Sequence, residues 1–493
     1  MLNFAYVLLQ VPLIALFKPA PPKSDELRKP FGRIAVIGAG LTGISSAAHA
    51  IAHNFDVVIY EASDRPGGIW SRVNKTSGLQ LNSLLYRFHP AVCWRHGFPE
   101  RDEILDEIKR VWKEYKLEGR TQFNTPVTSI RRAPSTSSPG ARWLVNDGSD
   151  GAFDALIVTV GTYAGESGGD DDDDDDMFDG PILHSSELDR EDADMAGKTV
   201  IVVGSSASGV EAAEAALTRG AKKVSMVARD DKWIIPRNIV VDTAISAQPF
   251  GREMPLSFLW EGFLRNWHYR GVKDLTPADR GIYEGTPVVN DAFLGHIRAG
   301  RVEYIRGDTL RLTKQGVRVR VRPRGSKPGD KKQRSSSEEY PTREFSADVV
   351  VLATGFEPPS VEFLPHDLFP EGYERPDLYL QNFSTEDWSV LMTNSSYLNA
   401  IGTPLFSHIG IYTRILLTFL LDKDARPPPR DMKLWVDALR FVKRGARGGA
   451  LGFFTYMELM IWFVMFHVLR PDRLQWMFFV MQGWGVNVNR VGK

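Results

Sequence analysis

The fold of this chain is decided by a short stretch near its N-terminus, RIAVIGAGLTG at residues 33–43. An apolar, largely β-branched run leads into Gly38, Gly40 and Gly43, and a helical pattern then continues to residue 52. In a strand–turn–helix unit, the first glycine permits the tight turn, the second lets the backbone approach a pyrophosphate, and the third lets the helix pack on the strand. The free N–H groups at the start of the helix then face the phosphates. This stretch therefore predicts a dinucleotide-binding turn.

A carboxylate at the end of the next strand supports the same interpretation. The run VVIY at residues 57–60 is followed by Glu61, which lies 18 residues after Gly43. A carboxylate in this position accepts hydrogen bonds from ribose hydroxyls in dinucleotide folds. An exposed charge at a strand end is the simpler alternative, but the glycines favour Glu61 as a cofactor-binding residue.

A second strand–turn–helix unit begins at residue 199, where TVIVV leads into Gly204, Ser206 and Gly209. Serine in place of the middle glycine still lets the backbone approach a phosphate, with slightly more bulk. The partner strand ends near Arg229 and not at an acid. Because a carboxylate would repel a 2′-phosphate and an arginine attracts one, Arg229 predicts NADPH in preference to NADH. A surface arginine without a ligand is the alternative.

Composition and charge exclude several classes of protein. The 60 Lys and Arg residues balance 61 Asp and Glu residues, so no global field favours nucleic acid or another polyanion. Cys93 is the single cysteine, which rules out an intrachain disulfide and a Cys-x-x-Cys redox pair. The histidines His49, His53 and His96 lack metal-ligand spacing, and we expect no metal. Two nucleotide sites without a dithiol favour hydride transfer to a flavin in a monooxygenase over a dithiol reductase.

Four further motifs follow the first glycine turn in a fixed order. They are GGIW at residues 67–70, LQLN at residues 79–82, Phe178-x-Gly180-x-x-x-His184-x-x-x-Leu188, and ATG at residues 353–355. Together with that turn, they make the chain resemble the class B flavin-containing monooxygenases over residues 31–420. Because the motifs are ordered and distinct, the resemblance is more specific than any one of them.

The resemblance implies where the cofactors bind. FAD is expected at the first turn, beside Gly68 and Trp70 of the GGIW box and near Asn82. Thr354 and Gly355 belong to the segment that links the two nucleotide folds. NADPH is expected at the second turn.

The resemblance also implies the reaction. NADPH reduces FAD, O2 adds to give a C4a-(hydro)peroxyflavin, and one oxygen atom passes to a small lipophilic substrate by N- or S-oxygenation or hydroxylation, of the kind met in secondary metabolism. Asn82 is the candidate for hydrogen bonding near the flavin N5 or the peroxide, and a loop-capping asparagine is the alternative. His184 acts at the active site or steadies the linker between the domains.

Departures from the family pattern leave other reactions open. Leu188 stands where the family has Tyr or Phe and the related Baeyer–Villiger enzymes have Trp, so this position favours neither branch. Residues 71–76 lack the aromatic-Pro pair of the Baeyer–Villiger version, which favours heteroatom oxygenation. A Baeyer–Villiger monooxygenase acting on a ketone remains the nearest alternative. A flavin NADPH oxidase or reductase without oxygen transfer is the alternative of another class.

Both ends of the chain are unusually apolar. Residues 1–17 carry no charge and precede a basic, proline-rich linker, and residues 451–469 are interrupted only by Glu458 and His467. We expect membrane association through one or both ends, with the C-terminal segment interfacial. The basic linker places the catalytic body in the cytosol, at a membrane such as that of the endoplasmic reticulum. Apolar helices packed on the body are the alternative, and the oligomeric state is left open.

The expected fold is α/β, with two Rossmann-like dinucleotide-binding domains, the NADPH domain inserted into the FAD domain, and hydrophobic terminal segments. The expected divisions are a hydrophobic anchor with linker, the first part of the FAD domain, an acidic insertion, the NADPH domain, the second part of the FAD domain and a membrane-associated tail, at residues 1–29, 30–165, 166–180, 181–345, 346–445 and 446–493. The run of aspartates at residues 170–176 repels itself, so we interpret it as a solvated insertion.

Overall fold

The structure is a computed structural model. Its described residues are 2–84, 86–134, 140, 142–161, 178–190, 194–246, 257–282, 287–331, 339–357, 359–393, 408–443 and 451–484. The acidic run at residues 170–176 lies outside them, so its interpretation as a solvated insertion stays a prediction.

The strands are short and buried in most cases. They are β1 Arg33–Ile37, β2 Asp56–Tyr60, β3 Thr121–Gln122, β4 Ile130–Arg132, β5 Trp143–Val145, β6 Ala155–Val158, β7 Ile182–His184, β8 Thr199–Val203, β9 Lys223–Ala228, β10 Ile234–Ile235, β11 Val288–Val289, β12 Val302–Thr313, β13 Gly316–Val321, β14 Thr342–Ser346, β15 Val349–Leu352 and β16 Val390–Leu391.

The helices alternate with the strands in the two nucleotide units and cluster at the C-terminus. They are α1 Leu2–Phe17, α2 Leu41–Ala52, α3 Arg101–Glu114, α4 Ala207–Thr218, α5 Ile239–Ser246, α6 Ser257–Trp267, α7 Phe293–Arg298, α8 His408–Leu421, α9 Pro429–Lys443, α10 Leu451–Val468 and α11 Met477–Gln482.

The first sheet is parallel, in the order β16-β6-β1-β2-β3. Alternate residues of β1 enter different cores, since Ile34 and Val36 pack with helix residues while Ala35 and Ile37 pack with the β4–β5 hairpin. Burial on both faces explains why β1 reads as a continuous apolar run. The pairing of β16 with β6 shows that the chain completes this sheet after the second unit has been inserted.

The second sheet has the order β14-β13-β12-β9-β8-β15-β7, parallel from β12 to β7 and antiparallel at the other edge. β7 enters this unit and β15 leaves it, and the two strands pair with Leu352 opposite His184. β15 therefore belongs to the second sheet, and the chain returns to the first sheet later than the expected boundary at residue 346.

The segment at residues 233–283 reads as irregular in the sequence, but it contains the helices α5 and α6. α6 places Leu264 in the core of the second domain, while Phe258, Leu259, Phe263 and Trp267 are exposed. Large aromatic residues on the outer face hide the helical period, because periodicity is visible only when polar and apolar faces differ.

The apolar ends form helices whose polar residues point inward. Gln10 of α1 is fully buried, donates to the Trp94 carbonyl at 2.7 Å and accepts from the Trp94 N–H at 2.9 Å. Glu458 of α10 is also buried and accepts from the Trp435 indole at 2.8 Å. Within the described ranges, no helix combines the length and the apolarity that crossing a bilayer requires. The inner faces of α1 and α10 therefore pack on the body of the protein, which is the alternative to membrane association given above.

Candidate cofactor sites and domain interface

The first glycine turn lies between β1 and α2, where space is tightest at Gly43. A Cβ at Gly43 would lie 1.9 Å from the carbonyl oxygen of Gly38 and 2.7 Å from Oγ1 of Thr159. No side chain fits at such distances, so the α2 backbone approaches the turn because residue 43 is glycine. Thr159 also donates to the Ile37 carbonyl at 2.7 Å, which ties the end of β6 to the turn.

The GGIW box packs directly against this turn. The Gly67 N–H donates to the Ala39 carbonyl at 3.0 Å, and a Cβ at Gly68 would lie 2.9 Å from the Gly40 Cα. Trp70 is half-buried and packs against the core beneath. Two motifs separated in the sequence therefore form one surface of bare backbone, which a pyrophosphate can approach.

Glu61 follows β2, and its carboxylate is directed into the first glycine turn. Oε2 accepts from the Ala39 N–H at 2.7 Å, and Oε1 accepts from the Ser63 N–H at 2.8 Å. The side chain is buried. A carboxylate has about four acceptor positions, so these two bonds leave capacity for ribose hydroxyls. Glu61, Gly40 and Gly68 thus fit the adenosine and pyrophosphate part of FAD.

The second glycine turn lies between β8 and α4 and has the same construction. A Cβ at Gly204 would lie 2.3 Å from the Ala353 carbonyl oxygen, and one at Gly209 would lie 2.2 Å from that of Gly204. Ser206 precedes α4 with an extended backbone, and its exposed side chain makes no bond to cap the helix. Serine is therefore compatible with the turn, because its side chain is exposed.

Arg229 follows β9 at the rim of the second site. It is exposed, and its guanidinium has no hydrogen-bond or ion-pair partner among the residues that the structure describes. Two neighbouring arginines are already engaged, since Arg306 pairs with Asp231 at 2.9 Å and Arg322 pairs with Asp308 at 3.0 Å. Arg229 is thus available for a phosphate, as the site of a 2′-phosphate requires.

His184 lies in the linker and is buried. Its Nδ1 lies 2.8 Å from Ser186 Oγ, and its Nε2 lies 3.3 Å from the Gly355 carbonyl oxygen. These contacts join the segment that enters the second domain to the segment that leaves it. Thr354 beside Gly355 is exposed. The geometry favours His184 as the residue that steadies the linker.

Asn82 is fully buried at the boundary between the two domains. Its backbone N–H and its side-chain Nδ2 both donate to Oδ2 of Asp242, at 2.7 and 2.9 Å. Nδ2 also donates to Oγ1 of Thr243 at 3.0 Å. Asn82 is therefore more than a local cap, because its partners lie on α5 of the other domain.

Further polar residues lie at this boundary that no sequence motif indicates. Glu211 of α4 accepts from Ser77 Oγ at 2.9 Å and from Gln80 Nε2 at 3.3 Å. Burial, together with the charge of Glu214, raises the pKa of Glu211 to about 7. Glu211 follows Gly209 by two residues, but no local pattern indicates that its partners belong to the first domain.

Two glycine turns of this build define an α/β protein with two dinucleotide sites. The family model described as flavin-binding monooxygenase-like matches residues 31–317, which is more than half of the chain. The chain belongs to this flavin-binding monooxygenase-like family, as the ordered motifs predicted.

Curated relatives agree with this assignment. Probable flavin-containing monooxygenase 1 of Arabidopsis thaliana is 30% identical over 243 residues, 41% of this chain and 45% of that protein. Flavin-containing monooxygenase 5 of Cavia porcellus is 23% identical over 387 residues, 70% of this chain and 68% of that protein. The chain spans about half the length of the two Arabidopsis relatives that it matches, 45% of the first and 52% of the second.

Solved monooxygenases share the fold at low identity. An oxidized steroid monooxygenase bound to NADP has a TM-score of 0.61 at 17% identity, over 85% of this chain and 93% of that one. An open cyclohexanone monooxygenase also has a TM-score of 0.61, at 16% identity, over 84% of this chain and 93% of that one. At this identity the likeness establishes the architecture of two nucleotide domains.

Proposed function

We propose that the protein is an FAD- and NADPH-dependent monooxygenase that transfers one oxygen atom from O2 to a small lipophilic substrate. The observation that carries this proposal is the pairing of two different glycine turns in one chain. One turn is closed by the carboxylate of Glu61, and the other is flanked by the guanidinium of Arg229, which is unpaired among the described residues. A carboxylate suits ribose hydroxyls and a free guanidinium suits a 2′-phosphate, so the two turns bind different cofactors.

The flavin supplies the redox and oxygen chemistry, and the residues of this chain bind, orient and shield the reactants. Glu61, Gly40 and Gly68 would hold FAD, while Gly204, Ser206 and Arg229 would hold NADPH. Asn82 lies where the two domains meet, and it would be the polar residue that faces the reacting end of the flavin. His184 and Gly355 hold the linker so that the two nucleotide sites keep their relative position.

The substrate class we propose is an amine or a sulfide. Support comes from residues 71–76, which lack the aromatic-Pro pair of Baeyer–Villiger enzymes. Ketone oxidation is the second candidate, favoured by the shared architecture with the steroid and cyclohexanone monooxygenases. An oxidase without oxygen transfer would consume NADPH and O2 and release only hydrogen peroxide.

A substrate screen under 18O2 separates these reactions. Purified protein is loaded with FAD and NADPH, and panels of amines, sulfides and ketones are analysed by mass for one added 18O atom. We expect labelled N- or S-oxides. Labelled esters would instead establish Baeyer–Villiger chemistry, and hydrogen peroxide in stoichiometric yield with no labelled product would establish an oxidase.

The apolar ends also support a proposal of contact with a membrane surface. Leu9 of α1 is 65% exposed and Val468 of α10 is 62% exposed. The rings of Phe17 and Trp484 stack with their centroids 6.1 Å apart, which joins the two ends of the chain. Exposed apolar side chains on α1 and α10 fit an interfacial attachment, with the helices lying in the surface of the bilayer.

Vesicle flotation tests this attachment. The double variant Leu9→Glu, Val468→Glu should lose binding to vesicles of phosphatidylcholine and phosphatidylserine. The matched control is Phe441→Glu, which places the same charge at a side chain that is 75% exposed on α9. Equal flotation of the double variant and the wild type would remove the proposal.

A further inference from the structure

Asn82 and Asp242 form a buried contact between the two nucleotide domains. The residues are 160 positions apart in the sequence, and they are 0% and 1% exposed. One carboxylate oxygen accepts both the backbone N–H and the side-chain amide of Asn82. A charged acceptor that is held by two donors in a buried place makes stronger hydrogen bonds than neutral groups do.

The chemistry of a carboxylate fixes how the Asn82 amide is turned. An ionised carboxylate only accepts hydrogen bonds, so the atom of Asn82 that faces Asp242 is the nitrogen Nδ2. The second N–H of Nδ2 is directed to Thr243 Oγ1 at 3.0 Å. Both side-chain donors of Asn82 are therefore used by α5, and the carbonyl oxygen Oδ1 is the side-chain atom turned away from Asp242.

The position of Asp242 is itself fixed by the start of α5. Asn238 precedes the helix, and its Oδ1 accepts from the N–H groups of Val240 and Val241 at 3.0 and 3.1 Å. The Asp242 N–H donates to the Asn238 carbonyl at 2.8 Å. Asp242 thus lies in the first turn of α5, where the helix dipole favours a negative charge.

Contacts on either side of Asn82 hold the same stretch of the first domain. Gln80 accepts from the Val289 N–H at 2.9 Å through Oε1. Asn74 donates to the Ser185 carbonyl. Residues 74–82 therefore form a strap that lies along the second domain, and Asn82 is its most deeply buried polar contact among those described here.

We propose that Asp242 is the positioning residue for Asn82, and that this contact ties the flavin side of the active site to the NADPH domain. The role of Asn82 beside the flavin rests on the proposed function above, whereas the contact with Asp242 does not. Loss of the Asp242 carboxylate removes the acceptor shared by the backbone N–H and the side-chain amide of Asn82 and loosens the strap, so hydride transfer between the domains slows.

Hydrogen exchange on the FAD-loaded protein tests the contact without any turnover. The Asn82 backbone amide should exchange at least about 10-fold faster in Asp242→Ala than in the wild type, because its acceptor is lost. Thr243→Val is the matched control, since it removes only the second acceptor of the side chain. Unchanged exchange in Asp242→Ala overturns the contact. Asp242→Asn retains an acceptor oxygen and serves if the alanine variant does not fold.

A double-mutant cycle on flavin reduction by NADPH tests the positioning role. Asp242→Ala and Asn82→Ala should each slow reduction about 10- to 100-fold, the scale of an ångström-level misplacement. The double variant should match Asn82→Ala alone within about twofold, and Asp242→Asn should recover part of the rate. If the rate losses of the two single variants multiply in the double variant, the positioning role is overturned.

The outcomes separate this inference from the proposed function. If flavin reduction is slow in Asn82→Ala but normal in Asp242→Ala, only the positioning role of Asp242 is removed. An unchanged rate in Asn82→Ala removes the proposed role of Asn82 and the positioning role with it, while reduction of the flavin by NADPH still establishes the two cofactors.

Discussion

The Glu61 carboxylate accepts a hydrogen bond from the backbone N–H of Ala39 at 2.7 Å, inside the first glycine turn. The residue expected to bind the cofactor therefore also holds the turn that the cofactor approaches. Because Ser63 donates to the other oxygen at 2.8 Å, the carboxylate cannot rotate away from the site.

This double role predicts a loss of FAD when Glu61 is replaced by alanine. Glu61→Ala removes a charged acceptor, which corresponds to about 1.5–3 kcal/mol per hydrogen bond and hence to about 10- to 100-fold weaker binding. FAD affinity is measured by quenching of flavin fluorescence during titration of the apoprotein. Asp64→Asn is the control, because Asp64 is an exposed carboxylate near Glu61. Equal affinity in Glu61→Ala and the wild type would remove the cofactor role of Glu61.

Arg229 should select NADPH over NADH. Arg229→Ala should raise the KM for NADPH about 10- to 100-fold and leave the KM for NADH nearly unchanged, because only NADPH carries the 2′-phosphate. Steady-state kinetics with both cofactors measures this ratio. Lys222→Ala, which removes an exposed cation of the same domain, should leave the ratio unaltered. A parallel change for both cofactors would contradict the role of Arg229.

Glu211 should make stability depend on pH near neutrality. Its pKa is raised from 4.5 to about 7, because burial and Glu214 disfavour the charged form. Between pH 4.5 and pH 7 the folded protein therefore keeps a proton that the unfolded chain has lost. The contribution of Glu211 to the free energy of unfolding is complete below pH 4.5 and is lost as the pH rises through 7.

The variant Glu211→Gln should remove that pH dependence. At pH 8 it should be more stable than the wild type by at most about 3 kcal/mol, since one pKa unit corresponds to about 1.4 kcal/mol. Denaturant unfolding at pH 5 and pH 8 measures the difference, with Glu362→Gln at an exposed position as the control. If the stability of the wild type and that of Glu211→Gln change equally between pH 5 and pH 8, the raised pKa of Glu211 does not cause the pH dependence.

Three histidines, of which His49 and His89 are buried and His53 is half-buried, should make the protein sensitive to acid. The rings of His49 and His89 lie 4.6 Å apart, beside Arg414, whose side chain donates to the Val480 carbonyl of α11 at 2.9 Å. Burial lowers the pKa of His49 and His89, and it lowers the pKa of His53 to about 3. These histidines stay neutral when folded, so the stability they contribute is complete above pH 6.5 and is lost as the pH falls below it.

Replacement of His53 by glutamine tests the effect of this cluster. At pH 5 the wild type should lose up to about 2 kcal/mol through His53, and His53→Gln should lose less between pH 7 and pH 5. Unfolding followed by tryptophan fluorescence at pH 7 and pH 5 measures the change. His366→Gln, at an exposed histidine, is the control and should follow the wild type. An identical acid response in His53→Gln would contradict the prediction.

The features that could be predicted from the sequence are those set by neighbouring residues. Gly38, Gly43, Gly204 and Gly209 indicate the two turns because a side chain there would meet backbone within a few residues along the chain or on the adjoining strand. Glu61 and Arg229 indicate the cofactors because each follows a strand that must end beside its turn. These inferences need only the local geometry of a strand, a turn and a helix.

The tertiary structure decided what distant segments do to one another. Asn82 meets Asp242, Glu211 meets Ser77 and Gln80, and Glu458 of an apolar helix turns inward to Trp435. Each of these contacts depends on how two domains or two helices dock, and docking is set by the sum of many packed surfaces. A hydrogen bond across 160 residues leaves no periodicity in the sequence. The sequence alone therefore predicts which cofactor each of the two sites takes, whereas the packing of the domains determines how those sites are held together.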